Sequence, residues 1–215
     1  MKTIRLLVII SLVFIGCNKT YSQDNNSIHE LDSIAVNIFK SVNNKDFNTL
    51  LDMTYPKLFE IVSKENMLPV LKSMFEGNEE FAIELPKDIP EFKISNVFID
   101  KETKADYAFL SYDLKMKMTF KNQKFSDEEK DTMQEMMKIQ GMDVEFISNN
   151  ALNVLMKDRI IIFIKDDTTN NLWKTLNYDP DSPMFFQILS VGILEKAKEY
   201  NQNLMLESKK KQKTN

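Results

Sequence analysis

The chain has 215 residues, with 28 basic and 32 acidic side chains, a net charge of −4, four glycines and one cysteine. The acidic balance argues against general nucleic-acid binding, which takes a basic face. Four glycines, at positions 16, 77, 141 and 192, are too few for a glycine-rich phosphate loop, and a lone cysteine excludes both a zinc knuckle and an internal disulfide.

Residues 1–17 read MKTIRLLVIISLVFIGC. Lys2 and Arg5 precede an apolar run from Leu6 to Ile15. That run is about half of the roughly twenty residues a membrane-spanning helix needs, so it reads as a removable export signal. Phe14-Ile15-Gly16-Cys17 resembles a bacterial lipoprotein box. The resemblance implies cleavage after residue 16, acylation of Cys17 and a membrane-anchored envelope lipoprotein. Two or three acyl chains would hold firmly, since each buried methylene contributes about 0.8 kcal/mol. Thr20-Tyr21-Ser22 offers an alternative cut, after residue 22, that leaves a soluble exported protein. Without residues 1–16 the chain keeps 26 basic and 32 acidic residues. The segment 17–26 then reads as a flexible tether and 27–206 as one domain. The tail 207–215 (ESKKKQKTN) reads as basic and disordered.

Helices come first. Ile28, Leu31, Ile34, Ala35, Ile38, Phe39 and Val42 recur at three- and four-residue steps, which predicts a helix with one apolar stripe. Ser27 and Glu30 fit a capping box at its start. Phe47, Leu50 and Leu51 mark a second, short helix that must stop before Pro56. Pro56 opens a further turn, through Val62. Met67, Val70, Leu71 and Met74 mark a third helix that Gly77 closes, with Pro69 in its first turn or kinking it.

From Phe81 the period changes to two. Ala108, Leu110, Tyr112, Leu114, Met116, Met118 and Phe120 alternate with a face that turns polar, which predicts one long strand. Phe92–Asp100 reads as its hairpin partner. Arg159–Lys165 holds five consecutive apolar residues and suits a central strand, with DDTTNN (166–171) as a turn and Leu172–Tyr178 as the returning strand. Between the two long strands lies an insertion, 121–158. There Ser126 and Glu129 fit a second capping box, and Met133, Met136 and Met137 share a helix face expected to cover an edge or opening of the sheet. Met184–Met205 reads as a C-terminal helix.

The helical segment NNKDFNTLLDMTYPKLFEIV (43–62) and the closing hairpin DRIIIFIKDDTTNNLWKTLNYD (158–179) give the chain an order of elements that resembles the NTF2-like superfamily. The resemblance covers about residues 27–179. It implies an α+β fold: N-terminal helices packed on a strongly bent antiparallel sheet, here with a helical insertion and a C-terminal helix. The superfamily includes isomerases, dehydratases and noncatalytic binding or structural members, so fold does not settle function.

The chemistry on offer is sparse. His29, the only histidine, lies beside the stripe of the first helix with Asp32 and reads as solvated. Asp113 is the one candidate base on the polar face of the long strand, near Ser111, Tyr107 and Phe109; Lys115 and Lys117 on the same face argue that it is solvated. Seven of thirteen methionines fall between 116 and 156. Thioethers bind Cu(I), but methionine more often fills irregular apolar gaps, and Met116 and Met118 already fit the strand's core face. No metal or other cofactor is expected. The leading expectation is a noncatalytic envelope module that binds a small apolar ligand or a partner protein through Tyr107, Phe109, Ser111, Trp173 and the lid residues Met133, Met136 and Met137. The alternatives are an isomerase- or hydrolase-like enzyme with Asp113 as base, and a structural accessory subunit of an envelope assembly.

Overall fold

The computed structural model describes residues 25–214, with side chains for 27–210. The export signal, Cys17 and most of the tether lie outside the described residues. No helix among the described residues is long and apolar enough to cross a membrane.

The fold is α+β, built on an open seven-stranded antiparallel sheet. Two fifteen-residue strands, β4 (Asp106–Phe120) and β6 (Ala151–Lys165), pair along their whole length, from Asp106 opposite Lys165 to Thr119 opposite Ala151. Beside β4 run β2 (Phe92–Ile94) and β3 (Phe98–Ile99) at one end and β1 (Phe81–Glu84) at the other. Beside β6 run β7 (Lys174–Tyr178) and β5 (Met142–Phe146), again at opposite ends. The uninterrupted alternation from Ala108 to Phe120 is what lets β4 run so long.

Helices cover both faces of the sheet. On the first face, α1 (Asn25–Asn43) buries Leu31, Ala35, Ile38 and Phe39 against Ala108, Leu110, Ile161, Phe163 and Trp173. On the second, α5 (Phe185–Ile188) and α6 (Val191–Thr214) bury Phe185, Ile188, Ile193 and Ala197 against Tyr107, Phe109, Ile160, Ile162 and Ile164. Each large side chain so buried contributes about 1.5–3 kcal/mol. With helices on both faces, Ile160–Ile164 can be apolar at every position, and all five are buried.

The remaining helices are α2 (Phe47–Met53), α3 (Lys64–Glu76) and α4 (Asp127–Ile139), with a 3₁₀ turn at Pro56–Glu60. The exit of α2 is stitched to the β7 edge. The Tyr55 amide donates to the Thr175 carbonyl at 2.9 Å, and the Thr175 hydroxyl donates to the Met53 carbonyl at 3.1 Å. This covers backbone that an edge strand would otherwise expose. The Tyr55 hydroxyl donates to Asp166 Oδ2 at 2.7 Å and ties the same segment to the β6–β7 turn. Burial and the neighbouring Asp166 carboxylate push the Tyr55 phenol well above its ordinary value.

Several expectations are corrected. Helix α1 is already formed at Asn25, the first described residue, so Ser27 lies inside it and the Ser27–Glu30 box does not form its start. Pro69 sits in the second turn of α3, so of the two alternatives, first turn or kink, the first does not hold. The partner of β4 over 92–100 is two short strands, because the chain leaves the ladder at Ser95–Val97, where the Ser95 hydroxyl accepts the Phe109 amide at 2.9 Å. The insertion is shorter than 121–158: residues 151–158 belong to β6, and the inserted part is α4 and β5. The Ser126–Glu129 capping box is present. The C-terminal helix is two segments, α5 and α6, and α6 continues to Thr214 instead of fraying at Glu207. The Ser208 hydroxyl donates to the Asp158 carboxylate at 2.9 Å.

A candidate ligand cavity beneath the third helix

Where the two long strands change neighbours, their register shifts. Tyr112 pairs with Arg159 and Leu114 with Met156, leaving Asp113 opposite both Lys157 and Asp158. This is a β-bulge, with the extra residue on β6. Asp158 takes a φ of 55°, a left-handed conformation that aspartate tolerates better than most residues. The Asp113 carboxylate accepts the Asp158 amide at 3.0 Å. Asp113 is thus an exposed residue that satisfies the bulge backbone.

Beside the bulge lies a cavity of about 1310 Å³, partly open to solvent. Ligand pockets commonly occupy about 300–1,000 Å³, so this one is large. Its floor includes the first face of the sheet, through Tyr112, Leu114 and Ile161, and its far end reaches Leu176, Met184 and Leu204 of the other core. One wall is α1, through Ile38, Phe39 and Val42, continued by Leu50 of α2. The opposite wall is α3, through Met67, Leu71 and Phe75, and the loop 85–91 closes the top. The loop is held to α1 by the Asn43 amide, which donates to the Lys87 carbonyl at 2.9 Å. Polar groups lie at the bulge end, through Ser111, Asp113, Lys115, Asp158 and Ser208, and along the loop into β2, through Asp88, Glu91 and Lys93. Four of the side chains at the bulge are engaged: Ser111 shares a hydrogen bond with the Tyr200 hydroxyl at 3.3 Å, Asp113 accepts from the Asp158 backbone, and Ser208 donates to the Asp158 carboxylate. The apolar walls and floor make up the larger part of the lining, with charged residues at the bulge and along the loop. Burial raises the Tyr112 phenol, which stays neutral in the floor.

Helix α3 is the loosest wall. None of its residues is buried. The Ser63 hydroxyl caps its start by accepting the Asn66 amide at 3.4 Å, and Gly77 ends it at a φ of 83°. A Cβ at Gly77 would stand 2.2 Å from the Phe81 carbonyl oxygen, so this turn requires glycine. Few buried contacts between two clear breaks mark a segment that opens at low cost.

The residues named from sequence divide among three places. Ser111 and Asp113 reach the cavity. Tyr107 and Phe109 do not: they are buried on the second face, where Phe109 stacks on Tyr200 at 5.0 Å between ring centres. Trp173 packs against α1, with Lys165 Nζ 5.1 Å from its ring centre. Met133, Met136 and Met137 lie on α4, which packs on the edge strand β5; the Gln134 side chain donates to the Val144 carbonyl at 3.1 Å. These methionines do not line the cavity. The walls that sequence reading missed are α3 and the loop 85–91. The apolar stripe of α3 was the available signal, but nothing in it names the surface it faces.

A second hollow of about 530 Å³ lies over β1, β4, β5 and β6. Lys117 pairs there with Glu84 at 2.9 Å, and Asp143 pairs with Lys157. His29 is exposed, and its carbonyl accepts the Ser33 hydroxyl at 2.9 Å. Among the described residues no group of three histidine, cysteine, aspartate or glutamate side chains is placed to hold a metal ion. Comparisons with protein-family models, with curated proteins and with solved structures gave no match to this chain.

Proposed function

We propose that this protein is a noncatalytic ligand-binding module of the cell envelope, exported and held on a membrane through acylated Cys17, that takes a small apolar molecule into the cavity beneath α3. The sheet with helices on its first face is read as an NTF2-like cone, and the cavity as its opening. The observation that carries this reading is a large cavity with aliphatic and aromatic walls, closed by a helix that buries none of its own side chains. A concave space of this size with aliphatic and aromatic lining is the kind of site in which small apolar ligands bind. Catalysis through Asp113 finds less support, since that carboxylate is exposed and serves the bulge backbone.

Titration with N-phenyl-1-naphthylamine, whose fluorescence rises in apolar surroundings, tests the reading. Wild-type protein should bind it saturably, at one site. The pair Leu71→Gln and Phe75→Gln should weaken binding by about tenfold or more, the equivalent of about 1.4 kcal/mol. Both residues are only half-buried, so the melting temperature should fall little. Replacing Met133, Met136 and Met137 with Gln should leave affinity unchanged. Probe binding that ignores the α3 pair, or that falls with the methionine trio instead, would contradict the assignment.

A further inference from the structure

Helix α3 is more apolar than the cavity requires. At 100° per residue, Met67, Leu71 and Phe75 form the centre of its apolar arc, Leu68 one flank, and Val70 and Met74 the other, about 160° in all. The centre lines the cavity. The second flank is left in solvent: Val70 is 55% exposed and Met74 56%. Ile89 extends the strip onto the cavity rim at 38% exposure. Lys72 lies on the polar side of the helix and is exposed, with no ion pair. The apolar arc of α3 thus runs from the cavity wall at Met67, Leu71 and Phe75 round to the exposed Val70 and Met74, on a helix with no fully buried side chain.

We infer that this lip is the surface through which the protein meets a lipid bilayer, and that the ligand is an acyl-chain amphiphile taken from that bilayer. The inference rests on the ligand-binding reading above and deepens it. Acyl-chain molecules are scarce in water and concentrated in membranes, because each methylene moved out of water contributes about 0.8 kcal/mol. A cavity suited to them is best loaded without passage through water. A helix with an apolar flank and a charged opposite side lies in the plane of a membrane interface, its apolar side a few ångströms below the headgroups. Laid down that way, α3 puts Val70 and Met74 among the acyl chains, with Lys72 toward the headgroups. Lifting α3 then opens the cavity onto the bilayer at low cost, because the helix gives up no buried side chain.

Transfer of a 12-anthroyloxy-labelled stearate from the protein to phosphatidylcholine–phosphatidylglycerol vesicles tests this. The full chain from residue 17 is used with Cys17→Ser, so that no acyl anchor contributes. Contact-driven transfer should accelerate in proportion to vesicle concentration. The pair Val70→Asp and Met74→Asp should slow it at least fivefold and leave the affinity for the same probe in solution within twofold of wild type. A rate independent of vesicle concentration, or undiminished transfer by the double variant, would overturn the inference while leaving the cavity reading intact. Dimerisation lost in the same variant, with transfer unchanged, would give the strip to a second copy of the chain and overturn it as well. Failure of the wild-type protein to bind the probe at all would remove both readings.

Discussion

Phe109→Ala should cost about 3–5 kcal/mol of stability. Phe109 is fully buried at the centre of the second face. Its ring meets Tyr107 at 5.7 Å, Phe98 at 6.0 Å and Tyr200 of α6 at 5.0 Å. Truncation leaves a void that β4 and β6 cannot collapse into, because both run through a continuous ladder there. The loss is a large part of the roughly 5–15 kcal/mol that holds a typical domain together. Thermal melts should show a fall on the order of 10 °C, whereas Phe109→Leu, which keeps most of the volume, should lose far less. A Phe109→Ala protein within about 1 kcal/mol of wild type would mean that α6 does not seal this face.

The second large effect belongs to Asp100, a buried carboxylate in the turn between β3 and β4. Its Oδ2 accepts the Thr103 hydroxyl at 2.6 Å and the Thr103 amide at 2.8 Å. The start of α6 presses on it: a Cβ at Gly192 would lie 2.7 Å from Asp100 Oδ1. Burial pushes this carboxyl up, but the bonds from Thr103, Ser190 and Glu102 outweigh burial and hold it below its ordinary value. A carboxylate with a lowered folded-state pKa stabilises the protein fully above the unfolded-state value near 4, and that contribution is lost as pH falls through the folded-state value. Asp100→Asn should therefore cost about 1.5–3 kcal/mol at neutral pH, the worth of hydrogen bonds to a charged group. The gap between variant and wild type should close as pH drops below about 4. Urea midpoints measured from pH 7 down to about 3 give the comparison. A gap that persists unchanged into acid would show that shape, not charge, is what the site needs.

Much of this architecture was legible because its signals are local. The stripe from Leu31 to Phe39, the alternation from Ala108 to Phe120 and the apolar block Ile160–Ile164 each report a period and a burial that the structure keeps. The length of β6 was not legible. Before the block, Ala151–Lys157 shows mixed alternation, and the bulge at Asp158 shifts its phase by one residue, so the segment read as part of an insertion. The site was hidden for a different reason. Tyr107 and Phe109 carry the aromatic character expected of a pocket, yet α6 fills that face, and a strand pattern does not say which face a later helix will take. The methionines of α4 resembled a lid, but their partner is the edge strand β5, which follows them directly in the chain. The wall opposite α1 is α3, whose half-buried stripe looks in sequence like any surface helix.

A thiol placed under α3 tests the central claim most directly. In a Cys17→Ser background the chain has no other cysteine, so Leu71→Cys introduces a single reporter in the cavity wall, and Ile139→Cys, at a position 87% exposed on α4, serves as the control. Saturating N-phenyl-1-naphthylamine should slow alkylation of the Leu71→Cys thiol severalfold and leave the Ile139→Cys thiol untouched. Bound probe with equal alkylation rates at residue 71, present or absent, would place the ligand elsewhere and contradict the account.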